Sequence, residues 1–190
     1  RHFITVFEGF DAVVCPSGSC TAMVKHRYPG LFDDDPDMKR RAESLSGRIF
    51  EFSQYLVDVL AITDTGASFH GKVAYHESCH LLRDLGVSEQ PKALIRAARG
   101  TELVFMKDAD MCCGFGGEFA LDYPEISTAM VEGKVAHFLE SGADLLVLGE
   151  PGCLLNIRGF LDRNHPGKTV RHIAEFLADT TEPKEEAHGH

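Results

Sequence analysis

The sequence has little positive charge and no long apolar run. Lysine and arginine together number 19 against 29 aspartates and glutamates, which gives a formal net charge of -10. Nucleic-acid-binding surfaces are usually basic, and the scattered acidic residues of this chain predict that it binds no nucleic acid. No segment has the length of apolar sequence that a membrane span needs, and the first residues do not resemble a signal peptide. We therefore expect a cytoplasmic protein without a membrane span, whose partners are small molecules or other proteins.

The two ends of the chain differ from its middle. The 190 residues suffice for one ordinary domain with its own core. The chain starts at Arg1 with RHFITVFEGFDAVVC, which is typical of the end of a helix that leads into a buried strand, so we expect further protein before Arg1. Residues 179–190 are polar and contain Pro183, and we expect a flexible tail there.

Short β-branched apolar runs alternate with longer helical patterns along the chain. This alternation predicts an α/β fold with a mainly parallel, twisted sheet flanked by helices. Helical periodicity is clearest over residues 40–60 and 125–140. The predicted strands are residues 11–15, 72–76, 102–106, 144–148 and 169–171.

All six cysteines lie at or past the ends of predicted strands. For the first four strands in turn, they are Cys15 and Cys20, then Cys79, then Cys112 and Cys113, then Cys153. The carboxyl ends of parallel strands share one edge of a sheet, so loops that follow them can converge. We therefore expect the cysteine loops at the C-terminal edge of the strands, with their thiols close together in space.

Disulfides, packing and metal ligation are the three roles open to these cysteines. A cytoplasmic domain of this size needs no disulfide scaffold, and its compartment would keep the thiols reduced. Packing as a small apolar residue stays open for Cys15. It does not suit Cys112 and Cys113, because adjacent residues of a strand point to opposite faces. Thiolates gathered at helix N-termini, with histidines nearby, are natural ligands of iron–sulfur clusters and soft metals.

Residues 76–80 read HESCH, which matches the H-E-x-x-H pattern of zinc proteases. That chemistry needs both histidines on one face of a helix, with Glu77 as the general base. His76 instead ends a predicted strand, so we expect the two histidines on either side of a strand-to-helix turn and reject the protease. We assign His76 and His80 to contacts around a cysteine centre or to spare ligation, with ordinary loop histidines as the alternative.

Gly114, Gly116 and Gly117 follow the adjacent cysteines in the segment CCGFGG. Glycines let the backbone pass close to a bound centre and donate N–H groups to sulfur. A phosphate-binding loop is the rival interpretation, but the lysine of a P-loop is missing. We therefore assign these three glycines to cofactor binding.

Four segments around the cysteines read CPSGSCTAMVKHRYPGLF, HESCHLLRDLGV, DMCCGFGGEFA and EPGCLLNIRG. They resemble the cysteine-rich CCG-domain family, which includes the B subunit of heterodisulfide reductase, the iron–sulfur subunit of glycolate oxidase and the lactate-utilisation A protein. The resemblance extends to about residue 178. The family motif is a cysteine, a long gap, Cys-Cys-Gly, a similar gap and Cys-x-x-Cys, and full-length members carry it in tandem. The resemblance implies that the metal ligands are Cys79, Cys112, Cys113 and Cys153 of a second motif, and Cys20 of a first motif.

The resemblance also implies a division of the chain. Residues 1–70 would be the remainder of the first CCG half with a connecting helix, and residues 71–178 a second half packed with it as one unit. Glu150 stands where the motif has the first cysteine of Cys-x-x-Cys. We favour an iron–sulfur cluster of the 4Fe–4S type, with Glu150 or a histidine in place of the missing thiolate. A smaller cluster and a zinc ion on mixed ligands are the alternatives.

The function that the resemblance implies is electron transfer. We expect an iron–sulfur subunit of an oxidoreductase complex that oxidises a 2-hydroxy acid, with L-lactate favoured over glycolate and the other subunits of that complex as partners. No catalytic residue is assigned, since the subunit would be non-catalytic or co-catalytic. The alternative is a non-redox assembly protein stabilised by zinc.

Overall fold

The computed structural model describes residues 1–178. The predicted tail, residues 179–190, lies outside the described residues. Within the described part, none of the helices combines the length and apolar character required to cross a membrane.

The first part of the chain forms a small sheet of two parallel strands, in which Val13 pairs with Ile49. Its core contains Ile4, Met38 and Leu45. Its elements are α1 (His2–Phe7), β1 (Val13–Cys15), α2 (Gly18–Ala22), a π-helical segment (Met23–Arg27), a 3-10 turn (Pro29–Phe32), α3 (Pro36–Ser46) and β2 (Ile49–Glu51).

The remainder of the described chain forms a sheet of four parallel strands in the order β4-β3-β5-β6. This part begins with α4 (Phe52–Gln54), a π-helical segment (Tyr55–Val59), β3 (Ser68–Tyr75), a π-helical segment (His80–Asp84), α5 (Glu89–Ala97) and β4 (Arg99–Leu103). It continues with α6 (Phe119–Asp122), α7 (Pro124–Glu140), β5 (Leu145–Leu148), α8 (Pro151–Asn164), β6 (Thr169–His172) and α9 (Ile173–Leu177).

Helices cover both faces of this larger sheet. On one face α7 and α8 supply Phe138 and Ile157 to a core that also contains Leu146 of β5. On the other face α5 and α9 pack Leu94 and Phe176 into a second core. The strand β5 is central and all four of its residues are buried, as expected for a parallel strand covered on both sides. The predicted α/β fold with parallel strands flanked by helices is confirmed.

Three details of the predicted fold are wrong. The strand over 11–15 does not join the main sheet, because β1 pairs with β2 alone. The helix over 40–60 is broken: α3 ends at Ser46, Gly47 turns the chain and β2 follows. The strand over 102–106 is displaced to Arg99–Leu103, since it starts directly after α5.

The carboxyl ends of the two sheets face each other, with Leu81 packed between them. A Cβ atom placed on Gly18 would lie 2.0 Å from Leu81 Cδ1, and one placed on Gly149 would lie 2.8 Å from Leu81 Cδ2. Gly18 begins α2 and Gly149 follows β5 directly. The loops that follow β1 and β5 both approach Leu81 so closely that neither glycine can carry a side chain without displacing it.

Candidate metal centre

One histidine and two cysteines meet at the carboxyl edge of the larger sheet. A ring nitrogen of His76 and the Sγ atoms of Cys113 and Cys153 all lie within 4.8 Å of one another. The two sulfur atoms are 2.9 Å apart. His76 follows β3, Cys113 lies between β4 and α6, and Cys153 lies in the first turn of α8. All three residues are at least 95% buried.

The alternation of side chains along β3 decides which residues reach this group. Ala74 packs in the same core as Cys113 and Cys153, whereas Tyr75 packs in the core on the opposite face. The extended chain continues past the strand, where the His76 N–H donates to the Val147 carbonyl at 2.9 Å. His76 therefore lies on the side of the thiols.

Glu77 and His80 take no part in a zinc-protease arrangement. Glu77 forms an ion pair with Lys92 and accepts a hydrogen bond from the Ser88 hydroxyl at 3.0 Å. His80 starts a separate π-helical segment, and its side chain is 47% exposed. The predicted turn between the two histidines is confirmed, and they do not share a helical face.

The protonation state of His76 suits a metal ligand. Burial, together with the positive charge of Lys134, lowers the pKa of His76 to about 3, so its imidazole is neutral. Nδ1 lies 3.1 Å from the Ala109 carbonyl oxygen and donates its proton there. Nε2 is buried and has no hydrogen-bond partner among the described residues. A neutral imidazole that is oriented through one nitrogen offers the lone pair of the other nitrogen to a metal.

Lys134 is a residue of this site that the sequence analysis missed. It is fully buried in α7, and its Nζ donates to the carbonyl oxygens of Asp108 at 2.5 Å and Ala109 at 3.0 Å. Burial lowers the pKa of Lys134 to about 8. Its position between Val131 and Phe138, on the apolar face of the helix, is the sequence signal that could have identified it.

Cys112 and Cys79 extend the group of thiols toward the surface, and both are half-buried. A hydrogen bond with Cys113, and then burial, raise the pKa of Cys112. Burial raises the pKa of Cys79, and the nearby charge of Cys112 raises it further. Cys79 Sγ also lies 3.6 Å from Nδ1 of His80.

The pKa of Cys113 has opposing causes. Its hydrogen bond with Cys112 lowers the pKa, but its hydrogen bond with Cys153 and its burial outweigh that effect and raise the pKa to about 12. Without a metal the thiol is therefore neutral at physiological pH. Metal binding would displace its proton, because the thiolate is the ligand.

The glycines after Cys113 shape the loop around the thiols. Gly114 has φ of +82°, and a Cβ atom there would lie 2.6 Å from the Ser127 carbonyl oxygen. Its N–H donates to Cys112 Sγ at 3.4 Å. Gly116 and Gly117 also have positive φ and turn the chain toward α6. Only glycine suits the backbone at Gly114, where a side chain would collide with α7.

Glu150 and Cys20 lie outside the group formed by His76, Cys113 and Cys153. The Glu150 carboxylate accepts hydrogen bonds from the backbone N–H of Ser19 at 2.8 Å and from its hydroxyl at 3.0 Å. Cys20 is exposed on α2, and Cys15 is half-buried at the end of β1. The Glu150 carboxylate thus joins the start of α8 to α2, whose N-cap Ser17 also contacts it at 3.4 Å.

Comparisons with known proteins identify similar sequences. Residues 73–158 match the family described as CCG, a cysteine-rich domain. Lactate utilization protein A of Shouchella clausii is 46% identical over 177 residues, which cover 93% of this chain and 74% of that protein. The proteins of the same name from Geobacillus kaustophilus and Oceanobacillus iheyensis are 45% and 44% identical, over 93% of this chain and 74% and 72% of their own lengths.

Proposed function

Because the chain belongs to the lactate utilization protein A family of cysteine-rich CCG proteins, we propose that it is an iron–sulfur electron-transfer subunit of an oxidoreductase complex. The complex would oxidise a 2-hydroxy acid, with L-lactate as the favoured substrate, and its other subunits would be the partners. The observation that carries this proposal is the meeting of His76 with the thiols of Cys113 and Cys153 within 4.8 Å.

The donor set supports a bound cluster. Its ligands would come from the four thiols of Cys79, Cys112, Cys113 and Cys153 and from Nε2 of His76. Thiolates hold iron–sulfur clusters in proteins, and imidazole replaces some of them at certain sites. A bound cluster would supply one-electron transfer. Nε2 of His76 is buried without a hydrogen-bond partner among the described residues, and an orphaned polar atom of this kind suits a bound group.

The protein residues around the donor set have separate roles in this proposal. The bond of His76 Nδ1 to the Ala109 carbonyl would orient the ring and leave the lone pair of Nε2 for the bound group. The Gly114 N–H donates to Cys112 and would offset negative charge on that sulfur. Lys134 supplies a buried cation nearby. We also propose that residues 1–70 belong to a first CCG half with a connecting helix, and that residues 71–178 are a second half packed with it as one unit.

A structural zinc site is the second candidate, and the mixed donor set favours it. Two thiolates and a neutral imidazole are ligands that zinc commonly takes, with one further ligand such as Cys112 or Cys79. The protein would then be a non-redox assembly subunit.

Anaerobic purification distinguishes the two functions. An iron–sulfur protein is brown, contains iron and sulfide, and loses visible absorption when dithionite reduces it. We expect this result for the full-length protein. A colourless preparation that holds about one zinc per chain would overturn the electron-transfer proposal and support the structural one.

A further inference from the structure

An open cavity of ≈ 470 Å³ lies between the two parts of the chain, beside the thiols. One wall comes from α2 and the π-helical segment after it, and the other from the π-helical segment His80–Asp84. The ring Nε2 of His26 lies 3.0 Å from the Asp84 carbonyl oxygen and connects the walls. The lining residues are Ser19, Ala22, Met23, His26, Arg27, His80, Arg83 and Asp84.

The cavity carries positive charge in a chain whose formal net charge is -10. Arg27 is exposed, and within residues 1–178 its guanidinium has no hydrogen-bond or ion-pair partner. Arg83 makes one long contact, 3.4 Å from its Nη2 to the Asp110 carbonyl oxygen. Asp84 is the single carboxylate of the lining, and it faces His80 at 3.9 Å. Both guanidinium groups are therefore available to an anion.

The walls of the cavity also border the cysteines. Ser19 directly precedes Cys20, and Nδ1 of His80 lies 3.6 Å from Cys79 Sγ. The residues that contribute charge, Arg27 and Arg83, both lie in π-helical segments, a rare conformation that occurs frequently at functional sites. An anion held by the two arginines would lie next to the exposed side of the thiol group.

We propose that this cavity binds a small 2-hydroxy carboxylate through the guanidinium groups of Arg27 and Arg83. Arginine is suited to this task, because its planar donors match the two oxygens of a carboxylate. The Ser19 hydroxyl donates to Glu150, and its oxygen, which also lies 3.3 Å from the Ser17 hydroxyl, can accept a hydrogen bond from the 2-hydroxyl of the ligand through its second lone pair. This inference rests on the proposed function and identifies the cavity as the binding site for its substrate class.

Titration calorimetry on the anaerobically purified full-length protein tests the site, with L-lactate as the probe. L-lactamide is the matched control ligand, since it keeps the 2-hydroxyl group and lacks the negative charge. Loss of a charged hydrogen-bond partner weakens binding about tenfold or more. We expect L-lactamide to bind at least about tenfold more weakly than L-lactate. Equal affinity for L-lactate and L-lactamide, or no binding of L-lactate, would overturn the proposal already in the wild-type protein.

Variants then locate the binding site. Arg27→Gln and Arg83→Gln should each weaken L-lactate binding about tenfold while the iron content stays unchanged. The control is Arg163→Gln, an exposed arginine in the last turn of α8, which starts at the carboxyl edge of the sheet and runs away from it. Unchanged binding in both cavity variants would refute the site.

The same preparations separate this inference from the proposed function. If the protein holds a dithionite-reducible iron centre but binds no L-lactate, the cavity assignment fails and the electron-transfer role stands. If the protein holds no iron but binds L-lactate through Arg27 and Arg83, the electron-transfer role fails and the cavity assignment stands.

Discussion

The carboxylate of Glu150 accepts a hydrogen bond from the backbone N–H of Ser19 at 2.8 Å. The two residues are 131 positions apart, and the bond connects the start of α8 to α2. The sequence resemblance aligns Glu150 with a motif cysteine, yet its oxygens accept hydrogen bonds from the other part of the chain. In this structure its carboxylate is a contact between the two parts.

We expect Glu150→Ala to lower the free energy of unfolding by about 1–3 kcal/mol, because the partly buried N–H of Ser19 and the hydroxyls of Ser17 and Ser19 lose this acceptor. Bound iron should be retained, since the carboxylate lies outside the group of His76, Cys113 and Cys153. Urea unfolding and iron analysis measure both quantities. Glu132→Ala, at an exposed position of α7, is the control and should change neither. Loss of iron from the Glu150 variant would identify it as a ligand.

Cys113→Ser should remove most of the bound iron, because a neutral hydroxyl is a poor substitute for a soft anionic ligand. Glu77→Gln should leave the iron content nearly unchanged, because Glu77 pairs with Lys92 on the opposite side of the extended chain. Iron and zinc content and lactate-dependent dye reduction, measured in the reconstituted complex, show whether the thiolates or Glu77 carry the function. Iron retained in the Cys113 variant, combined with activity lost in the Glu77 variant, would contradict a centre held by these thiolates.

Lys134→Met should destabilise the loop that carries Ala109 and lower the reduction potential of the bound centre. The variant removes one hydrogen bond from each of the Asp108 and Ala109 carbonyl groups, at a cost of about 1 kcal/mol each. Both carbonyls keep another donor, the Met111 N–H and the His76 ring respectively. The variant also removes a positive charge near the thiols. The loss of this charge disfavours the addition of an electron and lowers the potential. Lys168→Met is the matched control, because Lys168 donates to the Ala143 carbonyl at 3.0 Å, before β5 begins.

A redox titration followed by visible absorption separates the two variants. The control should lose stability while it keeps the potential of the wild-type protein. An unchanged potential in the Lys134 variant would show that its charge does not act on the centre.

The stability of the metal-free protein should fall as the pH is lowered below 6.5. The pKa of His76 is about 3 in the folded protein and near the ordinary histidine value of 6.5 when unfolded, so in this interval the unfolded state binds the extra proton. Each pH unit then costs about 1.4 kcal/mol from this residue. His76→Gln should show a shallower dependence in chemical denaturation between pH 6.5 and 4.5. Parallel curves for the two proteins would show that His76 is not held neutral by burial.

The position of the thiols could be predicted because it depends on strand ends. Runs of apolar β-branched residues mark the strands, and the parallel arrangement places Cys79, Cys113 and Cys153 at one edge. The side of the extended chain occupied by His76 and Glu77 follows from the same twofold alternation. The strand ends and the side on which each of these side chains lies depend on the local pattern of apolar and polar residues, which can be read from the sequence.

The errors arose where a distant segment decides the structure. Leu45 and Ile49 are both buried at helical spacing, yet Ile49 belongs to a strand because β1 offers it a partner. The role of Glu150 depends on Ser19, which lies 131 positions away. Arg27 and Arg83 likewise line one cavity only because α2 packs against the segment after Cys79. The spacing of residues along the sequence does not indicate which distant segments will pack together.

The donor groups of the centre lie on loops that follow three different strands, and Cys113 and Cys153 are 40 residues apart. A metal bound by all of them would act as a crosslink that closes long loops and reduces the conformational entropy of the unfolded chain. The order of synthesis matters for the same reason. A chain emerging from the ribosome lacks a complete donor set until β5 and the first turn of α8 have been made, so the complete site can be loaded only after Cys153 has been synthesised.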